Sequence, residues 1–294
     1  MKREREALLA IVDASPAAVA AHDKRAWLDL FSQHGVVEDP VGTPPRRKGA
    51  FSRRIASGDD DLGRFYETFI APNQIRFEVE RDVVLGHEVA RDVIIHTTAK
   101  NGLQIAVPTH LLYQLTEEGG DFRVERMAAH WEASRLTLTT LRSGRRGWGV
   151  LIASSWRMLA QLGPGGVMAY AKGTVQGIGE NGRAVVAAFA EAFTAQRSGE
   201  IEDLCARPDT PLELPAGVAV PARELLRSVG KDAALAVSKI RPSGWATSCS
   251  FELHRIASPV NGIAFFAFDP DTRRIASARF FWEEAADPGP LPPQ

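Results

Sequence analysis

Along residues 4–34, Leu8, Leu9 and Val12 recur at helical spacing, and Trp27, Leu30 and Phe31 make a second apolar face. Ser15-Pro16 falls between them and predicts a boundary, with Ser15 as N-cap and Pro16 at the first helical position. Arg64 to Ile70 predicts a third, short helix that ends before Pro72. From Gln74 the period drops to two, with Ile75, Phe77 and Val79 alternating against Arg76, Glu78 and Glu80. Asn101-Gly102 predicts a hairpin turn between Arg91–Ala99 and Leu103–Leu115, and Gly119-Gly120 a second turn before Phe122–Trp131. Helices first and an antiparallel meander afterwards make an α+β pattern.

The second half repeats that order. Helices are predicted at Gly182–Arg197, Glu200–Ala206 and Pro221–Val229, then strands at Ala233–Ile240, Trp245–Ile256, Gly262–Phe268 and Arg274–Trp282. The ends of the two halves align: Arg123-Val124 runs on to Trp131-Glu132 as Arg274-Ile275 runs on to Trp282-Glu283. Trp27-Leu28-Asp29-Leu30 likewise faces Ile201-Glu202-Asp203-Leu204. The chain therefore reads as a diverged tandem repeat. Its expected parts are a first unit at 1–133, a helical connector at 134–180, a second unit at 181–286 and a disordered tail at 287–294. Within the connector, Gly147 to Ala171 is apolar but carries Arg157 at its middle and is broken by Gly163-Pro164-Gly165-Gly166. Two short packed helices fit it better than a membrane span, with a lid or an interfacial helix as the minority reading.

Composition narrows the function classes. The 294 residues carry 35 Lys+Arg against 36 Asp+Glu, a formal net charge of −1, which argues against a nucleic-acid partner. Cys205 and Cys249 are the two cysteines, too few for a disulfide framework or a four-cysteine zinc site. His87, His96 and His130 lie on separate strands without metal-ligand spacing, so neither a metal nor a cofactor is expected. The N-terminus lacks the pattern of a signal peptide, so a cytoplasmic location is expected.

The most informative stretch is Glu38-Asp39-Pro40-Val41-Gly42-Thr43-Pro44-Pro45, two carboxylates entering a Pro/Gly-rich loop. Adjacent strand residues point to opposite faces, so one carboxylate can enter an apolar pocket, where its pKa rises and it can act as a base. Asp before Pro also commonly caps a turn, and on the residues alone that plainer reading prevails.

The loop resembles the Glu-Asp-Pro-x-Gly-x-x-Pro loop of the Δ5-3-ketosteroid isomerase and SnoaL-like families, which share the nuclear-transport-factor-2-like fold. Phe65-Tyr66 resembles that family's helix pair, after an apparent insertion at Arg53–Gly63, and Met127, Ala129 and Trp131 resemble its last strand. The resemblance implies two tandem cone-shaped units, each with helices packed on a curved antiparallel sheet. It implies proton transfer next to a ketone of a hydrophobic polycyclic substrate, with Asp39 as general base. Two donor positions of the family fall at Ser15 and Thr109, which breaks the expected oxyanion hole. Tyr66 is then the best surviving donor, and Thr109, Leu111, Tyr113, Phe65 and Trp131 are expected to line the substrate pocket. The matching loop of the second half, Glu213-Leu214-Pro215-Ala216-Gly217, has leucine at the base position, so that half is expected to be non-catalytic. The expected partner is a steroid- or polyketide-like small molecule, in a homodimer or a monomer whose halves form an intramolecular pseudo-dimer; membrane association is not expected. The alternatives are a polyketide cyclase or dehydratase, and a non-catalytic lipid- or steroid-binding protein.

Overall fold

The computed structural model describes residues 2–51, 58–254 and 259–283. The predicted tail at 287–294 and part of the predicted insertion therefore lie outside the described residues. The first unit runs α1 (Lys2–Ala20), α2 (Lys24–Asp29), β1 (Phe31–Glu38), β2 (Arg46–Arg47) and α3 (Asp61–Phe65) with a π-helical turn at Tyr66–Ile70. It continues through β3 (Asn73–Leu85), β4 (Glu88–Ala99), β5 (Gln104–Glu118) and β6 (Asp121–His130). Two helices follow, α4 (Ala133–Arg142) and α5 (Gly144–Val175). The second unit comprises α6 (Glu180–Thr194), α7 (Ser198–Leu204), β7 (Pro211–Glu213), β8 (Ala219–Pro221), α8 (Leu225–Val229), β9 (Ala234–Ser243), β10 (Ala246–His254), β11 (Val260–Phe268) and β12 (Ile275–Trp282).

The two sheets have one topology. The first is ordered β2-β1-β6-β5-β4-β3 and the second β8-β7-β12-β11-β10-β9. In each, a four-stranded meander is joined to a short hairpin by one parallel pair, β1 with β6 and β7 with β12. The repeat extends to the backbone: Asp39-Pro40 and Leu214-Pro215 are both cis, and Gly42 and Gly217 both have positive φ.

Three local predictions change. Ser15-Pro16 does not divide a helix, because α1 runs straight through Pro16. Leu8, Val12, Ser15 and Val19 are buried in one stripe, and that packing outweighs the hydrogen bond lost at proline. Ser15 is no N-cap; its hydroxyl accepts a hydrogen bond from Trp27 Nε1 at 3.2 Å. The third helix starts earlier than predicted, capped by the Asp60 side chain, and widens at Tyr66, where Ala71 N–H reaches back to the Tyr66 carbonyl. The interruption expected at Gly163-Pro164 is present: α5 breaks sharply there, with Gly163 at φ 69° and ψ 172°. No described helix is long and apolar enough to cross a membrane.

Each sheet covers one face with its own helices and the other with the opposite sheet. The second core is dense with rings: Phe189, Phe251, Phe266, Phe280 and Trp282 pack in a chain of edge and tilted contacts 5.2–6.3 Å apart, and Leu214 is buried with them. Between the sheets, Val83, Ala90, Leu112 and Ala128 meet Ala216, Ile263, Phe265 and Phe281. Around this apolar centre the halves exchange charge. Asp92 accepts from Lys239 at 2.5 Å and from Arg241 at 3.0 Å, and Glu88 receives Arg279 at 2.6 Å. His110, kept neutral by burial, sits 2.8 Å from Ser248 Oγ and 3.2 Å from Ser250 Oγ. Asp92→Ala would strand Arg241 as a buried, uncompensated cation, so a loss of roughly 3–5 kcal/mol is expected, read from urea unfolding of the full chain.

Candidate functional site

Val37 on β1 pairs with Arg46 on β2, which places both side chains on the same, inward face of the sheet. Between them lies the Asp39 loop, held from three directions. Val41 N–H bonds to the Ala129 carbonyl of β6 at 2.9 Å. Ser243 Oγ, from the second unit, donates to the Val41 carbonyl at 3.0 Å. The third hold is steric. A Cβ on Gly42 (φ +97°) would lie 2.5 Å from Gly244 Cα, and one on Gly173 of α5 would lie 2.4 Å from the Gly42 carbonyl oxygen. Three glycines, one from each unit and one from α5, let the backbones touch there.

The loop delivers Asp39 to a desolvated position. Burial pushes its pKa up to about 6, even though Trp131 Nε1–H donates to Oδ1 and pulls it down, across 2.6 Å. Such a carboxyl group is half-ionised close to neutral pH, where a general base works best. Two further polar groups surround it. Tyr170, on the last turns of α5, stacks its ring on Phe69 at 5.6 Å between centroids. Burial, then the negative charge of Asp39, raises the Tyr170 pKa while Arg46 opposes the rise. Tyr170 is thus a neutral O–H donor near neutral pH. Arg46 is only 8% exposed, lies 4.0 Å from Asp61, and its Nη2 has no hydrogen-bond partner among the described residues. A base, a hydroxyl donor and a buried cation with a spare N–H therefore share one low-dielectric region. Nothing in that set is a cation ligand site: among the described residues no three His, Cys, Asp or Glu side chains cluster as a metal ion would need.

Of the other expected site residues, Phe65, Tyr66, Leu111 and Tyr113 belong to the first unit's core. Tyr66 is buried with its hydroxyl unpartnered; burial and then Glu67, Asp23 and Lys24 dominate its ionisation, and its ring tilts against Trp27. Tyr113, pushed up to about 12 by burial, is set among Arg91, Ser15 and Asp82. Phe65 stacks on Trp27 at 6.0 Å, and Leu111 packs in the same core. Thr109 is fully buried, but its hydroxyl donates to the carbonyl of Val107 on its own strand. Beside the Asp39 loop a cleft of about 590 Å³ is lined by Pro40, Val41, Trp131, Leu138, Leu141 and Val175, among others.

Sequence reasoning missed Tyr170 and Arg46. Arg46 directly follows the Glu38–Pro45 loop as the first of three adjacent cations, with nothing in the sequence to distinguish it. Tyr170 lay in a stretch read as a connector, and only the course of α5 across the Asp39 loop joins it to the site. Trp131→Phe removes the one hydrogen bond that lowers the Asp39 pKa, so the carboxyl should titrate above 6; ¹³C NMR of its carboxyl carbon measures that shift.

Residues 12–135 match the model of the SnoaL-like domain family. No curated protein matches the chain. Among solved structures, the chain is similar to a Δ5-3-ketosteroid isomerase from Mycobacterium sp., with 24% identity, 43% of this chain and 94% of that one covered, and a TM-score of 0.34. A Mycobacterium tuberculosis protein in complex with estradiol-17β-hemisuccinate gives 23% identity, 43% and 94% coverage and a TM-score of 0.34. An epoxide hydrolase/cyclase-like enzyme of pyran ring formation in salinomycin gives 19%, 46% and 96%, with a TM-score of 0.37.

Proposed function

We propose that the first unit is a proton-transfer enzyme acting next to a ketone of a hydrophobic polycyclic substrate, with Asp39 as the base. The observation that carries this reading is a carboxyl group desolvated to a pKa of about 6 and aimed by Trp131. In the sharpest form, a Δ5-3-ketosteroid isomerisation, an Asp39 oxygen takes a proton from the carbon between the carbonyl and the double bond. The C–H electron pair moves into a dienolate, and the negative charge gathers on the former carbonyl oxygen. The Tyr170 O–H and the free Arg46 N–H are the groups available to stabilise that oxygen. Protonated Asp39 then returns the proton to the γ carbon, and the conjugated enone forms. A polyketide-type cyclisation or dehydration would use the same carboxylate. The second unit keeps the fold but presents Leu214 where the base stands, inside a ring-filled core.

Non-catalytic binding of a steroid-like ligand is the second reading. What favours it is that the hydroxyls at Ser15 and Thr109 are engaged with Trp27 and with the Thr109 strand itself. The two readings part on turnover.

With a Δ5-3-ketosteroid supplied, ultraviolet absorbance of the enone should rise, and Asp39→Asn should lower kcat by roughly 10²–10⁴-fold. The wild-type rate should be half-maximal near pH 6 and fall on the acid side, since the base must be ionised. Folding gives an independent control of opposite sign. Because the Asp39 pKa is raised in the folded state, stability is lost as pH rises from the ordinary carboxylate range to about 6 and stays lower above it; Asp39→Asn should therefore stabilise the chain by roughly 1–3 kcal/mol at pH 8 and not at pH 3. Full activity in Asp39→Asn would rule the mechanism out. Tyr170→Phe should cut kcat on the order of 10²-fold with little change in KM, if that hydroxyl serves the dienolate; an unchanged kcat would leave Arg46 as the donor.

A further inference from the structure

The outer face of α5 is unlike the rest of the surface. Arg145, Trp148, Ile152, Trp156 and Leu159 follow one another at intervals of three and four, so they form a single row along the helix. The row faces solvent: Trp148 is 57% exposed, Ile152 55% and Trp156 68%. The opposite face is the packed one, where Arg157 Nε reaches the Thr68 carbonyl and Gly147 is buried. Scattered exposed apolar residues need no explanation, but two tryptophans in a continuous row with isoleucine and leucine do.

Charge distinguishes the possible occupants. From Ala133 to Val175 the sequence has six cations (Arg135, Arg142, Arg145, Arg146, Arg157 and Lys172) and no Asp or Glu, in a chain whose formal net charge is −1. Arg142, Arg145 and Arg146 are exposed at the start of the row and make no ion pair among the described residues. A second copy of this face would bring further cations and no carboxylate to pair with them. An anionic lipid surface instead accepts tryptophan and aliphatic side chains at the headgroup boundary and attracts arginine beside them. We propose that α5 lies on an anionic membrane surface through this row, with Gly144–Leu162 as the interfacial segment. The Gly163-Pro164 break then turns the chain back so that Tyr170 and Gly173 reach the Asp39 loop. The same helix thereby joins a lipid-facing surface to the candidate site, which suits a ligand that dissolves in lipid. The proposal stands whether or not Asp39 is catalytic, because its readout is binding.

The test is flotation of the full chain with phosphatidylcholine vesicles made with or without phosphatidylglycerol. Flotation with the anionic vesicles, weakened by salt, is expected. The Trp148→Ser/Trp156→Ser pair should lose binding on the order of tenfold or more. Arg142→Gln, Arg145→Gln and Arg146→Gln should cost roughly fivefold each on anionic vesicles. All five positions are exposed, so thermal melting should be unchanged and the enone assay should keep its rate. Failure of the wild-type chain to float, or equal flotation of the tryptophan pair, would overturn the proposal. So would a lipid-free dimer in sedimentation that the tryptophan pair abolishes, since the face would then belong to a second copy.

Discussion

The packing of one sheet against the other is the constraint on which the rest depends. A curved sheet with helices on one side leaves its second side in water, and in each half that side is apolar. Val83, Ala90, Leu112 and Ala128 would be exposed without Ile263, Phe265 and Phe281 across from them. Asp92, His110 and Arg241 are tolerated between the sheets only because each finds a partner on the opposite sheet. The two units are therefore one folding problem, since each needs a cover.

That packing also sets up the candidate site. With the second unit seated on the first, its β9–β10 turn reaches Gly42 and its Ser243 holds Val41. The Asp39 loop is thus anchored by a unit that has lost the carboxylate itself. The second core is filled with rings. Phe189, Phe251, Phe266 and Phe280 occupy the space between its helices and sheet, and a leucine at position 214 finishes the packing. A unit with leucine at that position still supports the Asp39 loop.

Around Asp39 opposing forces balance. Burial raises its pKa, the Trp131 N–H lowers it, and the result lies near neutrality. Tyr170 and Arg46 bring polar N–H and O–H groups to a region where each interaction is stronger than in water. Both come from outside the meander: Arg46 from the short β2 hairpin, and Tyr170 from a helix that follows the first unit in sequence and returns to cover its loop.

Much was legible in the residues. The period-two alternation from Gln74, the glycine turns and the matching Trp-Glu endings specified two α+β units, because alternation and turn chemistry act over a few residues. Asp39 was legible through its loop, and Leu214 through the parallel loop. The sequence could not show that α1 runs through Pro16, because the buried stripe that outweighs proline is tertiary. Nor could it show that Tyr66 and Tyr113 sit among other charges, or that Tyr170 comes within reach of the Asp39 charge. Those outcomes depend on which way α5 folds back, and that is decided where Gly42, Gly173 and Gly244 touch, by contacts between residues far apart in the chain.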